Sequence, residues 1–299
     1  MITRRLIVAG AVALAVTPAF AQEKLPVVAT FSILGDLVKN VGGERISLTT
    51  LVGPDGDAHV YSATPADAKN VAGAKAIITN GLGFEGWLNR LIKASNAKAP
   101  VVAATRGVKV RKAAGGHSHG HSHDDMDPHA WQSVENAKIY VTNIRDALSA
   151  ADPAGRAEYE TNAKAYLEKL DALDKEIRTA VAAISAARRK VITSHDAFAY
   201  FKAAYGVDFI APQGVSTESE ASARDVAQII RQIKAQKVPA VFLENISDPR
   251  LVKRIADETG AKVGGTLYSD ALSDEKGPAG TYIDMMRHNL RQFAEALSS

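Results

Sequence analysis

The first half of the chain alternates between short apolar runs and segments with apolar residues at helical spacing. In Ile33-Leu34-Leu37-Val38, for example, apolar residues recur three and four positions apart. The same alternation resumes after residue 189. It favours parallel sheets that are covered by helices. The predicted strands are Val27–Thr30, Ile46–Leu51, Ala76–Thr79, Val101–Ala103, Val191–Thr193, Val207–Ile210, Ala240–Leu243 and Lys262–Gly264.

A long amphipathic stretch separates the two alternating regions. Asp152-Pro153 predicts a helix start with Asp as the cap, and no Gly or Pro intervenes between Arg156 and Lys190. Apolar residues at 3-4 spacing predict one helix of roughly 30 residues, about 45 Å long. We therefore predict an α/β protein with two lobes and a linking helix. The ranges are 22–151 for the N-terminal lobe, 152–188 for the helix and 189–299 for the C-terminal lobe.

Residues 107–128 interrupt this pattern with Lys, Gly, His and Asp. The composition predicts a surface loop of about twenty residues, longer than is usual inside a lobe. The loop closes on Asp127-Pro128-His129-Ala130-Trp131, and Ser133 is then expected to cap a helix. Four histidines alternate with Ser or Gly inside it: His117, His119, His121 and His123.

The N-terminus has the pattern of a secretory signal. Arg4 and Arg5 precede a short apolar run, and Ala19-Phe20-Ala21 provides the small residues of a cleavage site. Residues 1–21 are therefore predicted to be removed, which places the mature protein in the periplasm.

Charge and cysteine content restrict the chemistry further. The chain has 36 Lys and Arg against 33 Asp and Glu, and the signal contains two of the arginines. The mature protein is close to neutral, so no nucleic-acid partner is expected. Because the chain has no cysteine, a transition-metal site must use imidazole and carboxylate ligands.

Four residues outside the loop histidines fall at places where such a site could form. His59 lies in a turn-rich segment after a predicted strand, and His129 ends the loop. His195 and Asp270 each follow a predicted strand of the second lobe. Ligands collect at the carboxyl ends of parallel strands, so all four can meet in one cleft. Three imidazoles and one carboxylate fill a tetrahedral shell, which zinc favours.

Several other polar residues lie near these four in the sequence or at the ends of predicted elements. The imidazoles would need acceptors for their other ring nitrogens, and Asp57, Asp127 and Asp196 are close in sequence. Glu244 ends a strand and could orient a ligand or serve as a surface or capping residue. His288 is interpreted as structural or exposed. Glu218 and Glu220 fit a helix start near Ser222.

The motifs around these residues resemble those of the metal-binding solute proteins of zinc and manganese ABC importers, known as cluster A-I or cluster 9. The similarity covers essentially the whole mature chain. Ala58 and Ala63 depart from it, since many relatives carry proline there. The matching stretches are Asp57-x-His59-x-Tyr61-x-x-Thr64-Pro65, Asp127-Pro128-His129-Ala130-Trp131, Ser194-His195-Asp196-Ala197-Phe198-x-Tyr200-Phe201 and Leu267-Tyr268-Ser269-Asp270-Ala271-Leu272.

The resemblance implies two four-stranded lobes bridged by a rigid helix, with His59, His129, His195 and Asp270 as metal ligands. In the manganese branch a glutamate stands at the third position, whereas His195 stands here, which indicates zinc. Some members of the zinc branch bind the metal with three histidines and leave this aspartate out. The Tyr-Ser-Asp-Ala context is similar to that of AztC-type zinc binders, in which the aspartate completes the shell. The implied function is capture of Zn²⁺ in the periplasm, without catalysis, and delivery to a membrane permease driven by a cytoplasmic ATPase.

Other functions remain open at this point. A zinc hydrolase would keep a position for water beside three ligands, a manganese-binding homologue would differ in its metal, and some family members are described as adhesins. The alternating loop histidines are interpreted as an auxiliary, low-affinity collector that takes zinc from solution or from a periplasmic metallochaperone. The alternative for the loop is a solvated linker with incidental metal affinity. The protein is expected to be a monomer.

Overall fold

The computed structural model describes residues 23–113 and 126–298. The predicted signal peptide and the loop histidines His117, His119, His121 and His123 lie outside these residues. No helix in the described part of the chain has the length and apolar character needed to cross a membrane.

The N-terminal lobe is built on a four-stranded parallel sheet in the order β2-β1-β3-β4. Its two central strands are buried on both faces, which explains their nearly continuous apolar sequence. The elements are β1 (Leu25–Phe31), α1 (Ser32–Gly42), β2 (Ile46–Val52), α2 (Pro65–Gly73), β3 (Ala76–Thr79), α3 (Leu88–Ser95), β4 (Val101–Ala103) and α4 (Val134–Ala151).

The C-terminal lobe repeats this architecture with a parallel sheet in the order β6-β5-β7-β8. The predicted strands of both lobes are therefore present, with bounds shifted by at most three residues. The elements that follow α4 are α5 (Arg156–Ala183), β5 (Lys190–Ile192), α6 (Ala199–Tyr205), β6 (Asp208–Ile210), α7 (Ala223–Gln236), β7 (Ala240–Glu244), α8 (Pro249–Thr259), β8 (Lys262–Leu267) and α9 (Tyr282–Ser298).

Helix α5 joins the lobes and has a buried face of residues three and four positions apart, from Tyr159 to Val181. It packs against α1 and α4 of the first lobe and against α9 of the second. One apolar core consequently runs through both lobes, and a smaller one lies under α7 and α8. This packing holds the two sheets with their carboxyl strand ends toward a shared cleft.

Two predicted helix caps differ from what the structure shows. Ser133 stands at the N-cap position of α4, but its side chain makes no capping bond, and the hydroxyl of Tyr205 accepts the hydrogen bond of Val134 N instead. Asp152 does not cap α5, because a 3₁₀ turn at Pro153–Gly155 comes first. The Ser222 cap of α7 is present, since its side chain accepts from Asp225 N.

The carboxylate of Asp152 instead accepts from Arg45 Nη2 and from Tyr159 Oη, both at 2.8 Å. Gly155 is packed so closely against this group that an added Cβ would overlap with all three side chains. We expect Gly155→Ala to lower the free energy of unfolding by about 1–3 kcal/mol, because the ion pair must shift. Urea denaturation measures the change.

The matched control for this substitution is Gly86→Ala, since a Cβ at Gly86 meets no atom within 4 Å. The control should leave the free energy of unfolding nearly unchanged. Equal effects of the two substitutions would show that the cluster of Arg45, Asp152 and Tyr159 contributes little to stability.

Candidate metal centre

Four side chains from four separate segments meet in the cleft between the lobes. His59 lies between β2 and α2, and His129 directly precedes the 3₁₀ turn Ala130–Gln132. His195 follows β5, and Asp270 follows β8. One ligand atom from each lies within 4.8 Å of those of the others. The structure thus brings together all four residues that the sequence singled out.

The short distances in this group join the Nε2 atoms to the Asp270 carboxylate. Oδ2 of Asp270 is 3.1 Å from Nε2 of His59 and also 3.1 Å from Nε2 of His195. Oδ1 is 3.6 Å from Nε2 of His129, and the Nε2 atoms of His129 and His195 are 3.4 Å apart. At these separations one divalent cation could contact all four side chains after small adjustments.

Two further carboxylates orient the imidazoles from behind. Asp127 Oδ1 accepts from His129 Nδ1 at 2.8 Å and from the backbone of the same residue at 3.0 Å. Glu244 Oε2 lies 2.5 Å from His195 Nδ1, at ion-pair distance but outside hydrogen-bond geometry. Its other oxygen accepts from the backbone N–H groups of Ser194 and His195. Both contacts leave Nε2 facing the centre, as ligand histidines require.

His59 is held differently, through its backbone. Asp57 Oδ1 accepts from His59 N at 2.9 Å, while Asp57 Oδ2 accepts from Thr217 of the second lobe at 2.6 Å. The His59 ring packs edge-on to Phe84. His59 is also 6% exposed, whereas the other three residues are completely buried. The His59 loop is therefore where the centre comes nearest to solvent.

Aromatic rings close the first-lobe side of the centre. His129 packs against Trp131 and Phe84, and these two contact each other and Phe31. Such apolar walls exclude water and strengthen electrostatic interactions inside the site.

The buried charges shift the pKa values of the group. Burial lowers the pKa of His129, but the negative charges of Asp270 and Asp127 outweigh it and raise the pKa to about 9. Burial likewise opposes charge on His195, yet Glu244 and Asp270 raise its pKa well above the usual value. For Asp270, burial raises the pKa, but His195 and His129 bring it well below the usual range. Without metal, these charges therefore favour the protonated forms of His129 and His195.

The remaining polar residues that the sequence pointed to have other surroundings. Asp196 contacts no metal-facing atom, and burial raises its pKa. His288 Nε2 lies 2.9 Å from Thr266 O and its ring packs against Tyr268, which is a structural role. Glu218 and Glu220 lie before α7 and are not among the four grouped ligand residues.

A buried network behind His129 had no recognisable pattern in the sequence. Glu85 accepts from Thr30 Oγ1 and Asn80 N, both at 2.6 Å. Asn80 in turn donates to Pro128 O and accepts from Tyr140 Oη. This network fixes the turn that presents His129. Only the three-dimensional structure brings its members together, since they come from four distant segments.

The stem of the His-rich loop lies beside the centre. Lys112 and Met126 form an antiparallel bridge, and Asp127 N donates to Arg111 O at 3.0 Å. The hydroxyl of Tyr200 in α6 accepts from Arg111 N and donates to Asp127 O. The loop thus leaves and rejoins the described structure next to the residue that orients His129.

Residues 27–296 match the family described as zinc-uptake complex component A, periplasmic, or ZnuA. The chain is a member of the ZnuA family. As such it is an extracytoplasmic metal-binding component of an ABC importer, which implies a membrane permease and an ATPase as partners. The predicted family and the predicted two-lobed α/β fold are confirmed.

Relatives of this ZnuA-family chain are named for different metals. The manganese-binding lipoprotein MntA of Halalkalibacterium halodurans is 34% identical over 276 residues, which cover 92% of this chain and 89% of MntA. The iron-binding protein YfeA of Yersinia pestis is 34% identical over 278 residues, which cover 93% of this chain and 88% of YfeA. The family alone therefore does not decide the metal.

Solved structures match the fold closely. The periplasmic zinc binding protein TroA from Treponema pallidum superposes with a TM-score of 0.84 at 32% identity, covering 92% of this chain and 99% of TroA. The Mn-bound periplasmic metal binding protein from Candidatus Liberibacter asiaticus gives a TM-score of 0.82 at 31% identity, covering 92% of this chain and 100% of that protein.

Proposed function

We propose that this ZnuA-family protein binds Zn²⁺ with high affinity in the periplasm and delivers it to the permease of its importer. The observation that carries the proposal is the buried set of His59, His129, His195 and Asp270, whose ligand atoms lie within 4.8 Å of one another. Three nitrogens and one carboxylate suit tetrahedral Zn²⁺, whereas Mn²⁺ favours a shell rich in oxygen.

The orienting carboxylates support the same choice of metal. Asp127 and Glu244 stand behind the Nδ1 atoms of two ligand histidines, and such partners raise the basicity of the metal-facing nitrogen. A more basic nitrogen favours a borderline-soft cation such as Zn²⁺ over the harder Mn²⁺. The manganese names of several relatives make this specificity the part that needs a direct test.

Metal analysis of protein purified from the exported compartment tests the proposal. We expect one equivalent of zinc per chain and an N-terminus at Gln22, the residue after the predicted cleavage site. Competition titrations should give tighter binding of Zn²⁺ than of Mn²⁺. A higher affinity for Mn²⁺ under the same conditions would contradict the specificity, although not the role in transport.

We further propose that the protein is not an enzyme. If Asp270 completes the shell, no coordination position remains for an attacking water, and a zinc hydrolase needs one. A Co²⁺-substituted protein whose absorption spectrum indicates a bound, exchangeable water would favour the hydrolase instead.

The His-rich loop is proposed to assist acquisition, from solution or from a periplasmic metallochaperone. Its stem is closed by the Lys112–Met126 bridge, so removal of residues 116–125 with a short Gly-Ser replacement should not disturb the centre. We expect the deletion to keep one tight zinc site and to slow zinc uptake from a chelator, as measured by stopped-flow fluorescence. Loss of the tight site would place primary ligands in the loop.

A further inference from the structure

Asp270 belongs to the C-terminal lobe by sequence, but its neighbours in the chain are bonded to the N-terminal lobe. Ser269 O accepts from two side chains of that lobe. On the other side of Asp270, Leu272 N donates to Ser32 Oγ at 2.9 Å, and Leu272 O accepts from Asp55 N at 2.8 Å. The backbone on both sides of the fourth ligand is therefore bonded to the first lobe, in addition to the bonds that Tyr268 and Ala271 accept from Asn289 and Asn245 of their own lobe.

The two donors to Ser269 O are Trp131 Nε1 at 2.9 Å and Gln132 Nε2 at 2.7 Å. We call this pair of hydrogen bonds the Ser269 clamp. Trp131 and Gln132 are completely buried and follow His129 closely in the chain. The segment that presents one ligand thus also positions another, and the two cannot move independently.

Gln132 lowers the stability of the folded protein relative to an apolar residue at this position. Its Oε1 is buried and has no hydrogen-bond partner in the described structure, and an unsatisfied buried amide oxygen costs free energy. An apolar side chain of similar length would avoid that cost. The bond from Nε2 to Ser269 O is what such a side chain could not provide.

The backbone around His195 is bonded to its own lobe. The backbone on this ligand's side of the cleft bonds within the C-terminal lobe, with Ser194 N and His195 N donating to Glu244 and Ser194 O accepting from Gln213 N. The centre therefore has His59 and His129 on one lobe and His195 on the other, while the segment of Asp270 is bonded to both lobes.

We propose that Gln132, together with Trp131, is a positioning residue for metal binding that holds Asp270 in the shell by bonding its segment to the N-terminal lobe. The inference rests on the proposed zinc-binding function. With Asp270 held in place, the shell is four-coordinate and closed, which favours Zn²⁺ over ions that require additional ligands. When the clamp is lost, Asp270 can withdraw and water can take its position.

The test uses Gln132→Met in the full mature chain, because Met is similar in length and lacks the donor. Zinc affinity should fall by about 10–100-fold, the usual effect of losing an outer-shell partner. The absorption spectrum of the Co²⁺ form should change as water replaces the carboxylate in the shell, a change that a merely structural role would not produce. Trp131→Phe removes the other donor but keeps an aromatic ring, and should cause the same two changes. The Trp131→Phe variant also tests the proposal if the Gln132→Met variant fails to fold.

Two controls make the result decisive. Gln228→Met on the exposed face of α7 makes the same chemical change away from the site, and should leave affinity and spectrum unchanged. In an Asp270→Ala background, Gln132→Met should add less than about a twofold loss, because coupled residues are non-additive. A full additional loss in that background, or wild-type affinity and spectrum in both clamp variants, would overturn the proposal. If Asp270→Ala and His195→Ala bind zinc as tightly as wild type, the proposed function itself fails.

Discussion

Replacing His195 with alanine is expected to weaken zinc binding by more than the roughly 10–100-fold that loss of an outer-shell partner causes. His195 is completely buried and its Nε2 lies 3.1 Å from Asp270 and 3.4 Å from His129. The second lobe holds His195 through bonds to its own strand β7, so its removal leaves an incomplete shell on that side of the cleft. Isothermal titration with a competing chelator measures the loss.

The fold should survive this substitution. Glu244 keeps its bonds to the backbone N–H groups of residues 194 and 195 when the imidazole is removed. The metal-free variant should therefore unfold cooperatively in a thermal scan. His288→Ala is the matched control, because His288 contacts Thr266 O and Tyr268 and no metal-facing atom. Full zinc affinity in a His59→Ala, His195→Ala double variant would refute the site.

The four candidate ligands could be predicted because their positions follow from the order of strands and helices more than from the directions of individual side chains. The carboxyl ends of parallel strands lie at the same edge of a sheet, so the polar residues that follow β5 and β8 lie at one edge, with only β7 between the two strands. Similarly, the alternation of apolar runs was sufficient to place the eight strands, since buried central strands such as β1 and β3 tolerate few polar residues.

The orienting groups could not be predicted, because they depend on side-chain direction. Asp127 lies two residues before His129 and Asp196 directly follows His195, yet only Asp127 bonds the ring of its neighbouring ligand. Glu244 reaches His195 because β5 and β7 are adjacent in the sheet. The missing Ser133 cap has the same cause, since a hydroxyl from the other lobe, that of Tyr205, takes over the interaction.

Zinc affinity is expected to rise with pH up to about 9, the pKa of His129 in the metal-free pocket. From composition alone, the rise would end near 6.5, the ordinary pKa of histidine. Three negative charges, on Asp270, Asp127 and Glu244, favour imidazolium on His129 and His195. They therefore extend the rise in affinity to higher pH. Zinc binds only neutral imidazole, so each protonated ligand must first release its proton. Each proton released changes the apparent affinity about tenfold per pH unit.

The metal-free protein should respond to pH in the opposite direction. The folded-state pKa of His129 lies above its unfolded value, so its contribution to stability is complete below about pH 6.5. That contribution is lost as the pH rises toward 9. The thermal midpoint of the metal-free form should therefore fall over the range in which zinc affinity rises. Equilibrium dialysis that gives one affinity from pH 5 to 8 would contradict the assignment of buried imidazoles as ligands.

The Asp127→Asn variant tests how much the negative charge of Asp127 contributes to the pH dependence of zinc binding. The amide has nearly the same size as the carboxylate but lacks the negative charge that helps to raise the pKa of His129. The upper end of the pH-dependent rise should therefore move to lower pH, while the maximal affinity falls by about 10–100-fold because Nδ1 loses its charged acceptor. A variant with lower affinity and an unchanged pH profile would show that Asp127 orients the ring without controlling its proton. Since Asp127 also accepts the backbone N–H of His129, the combination of both changes is the expected result.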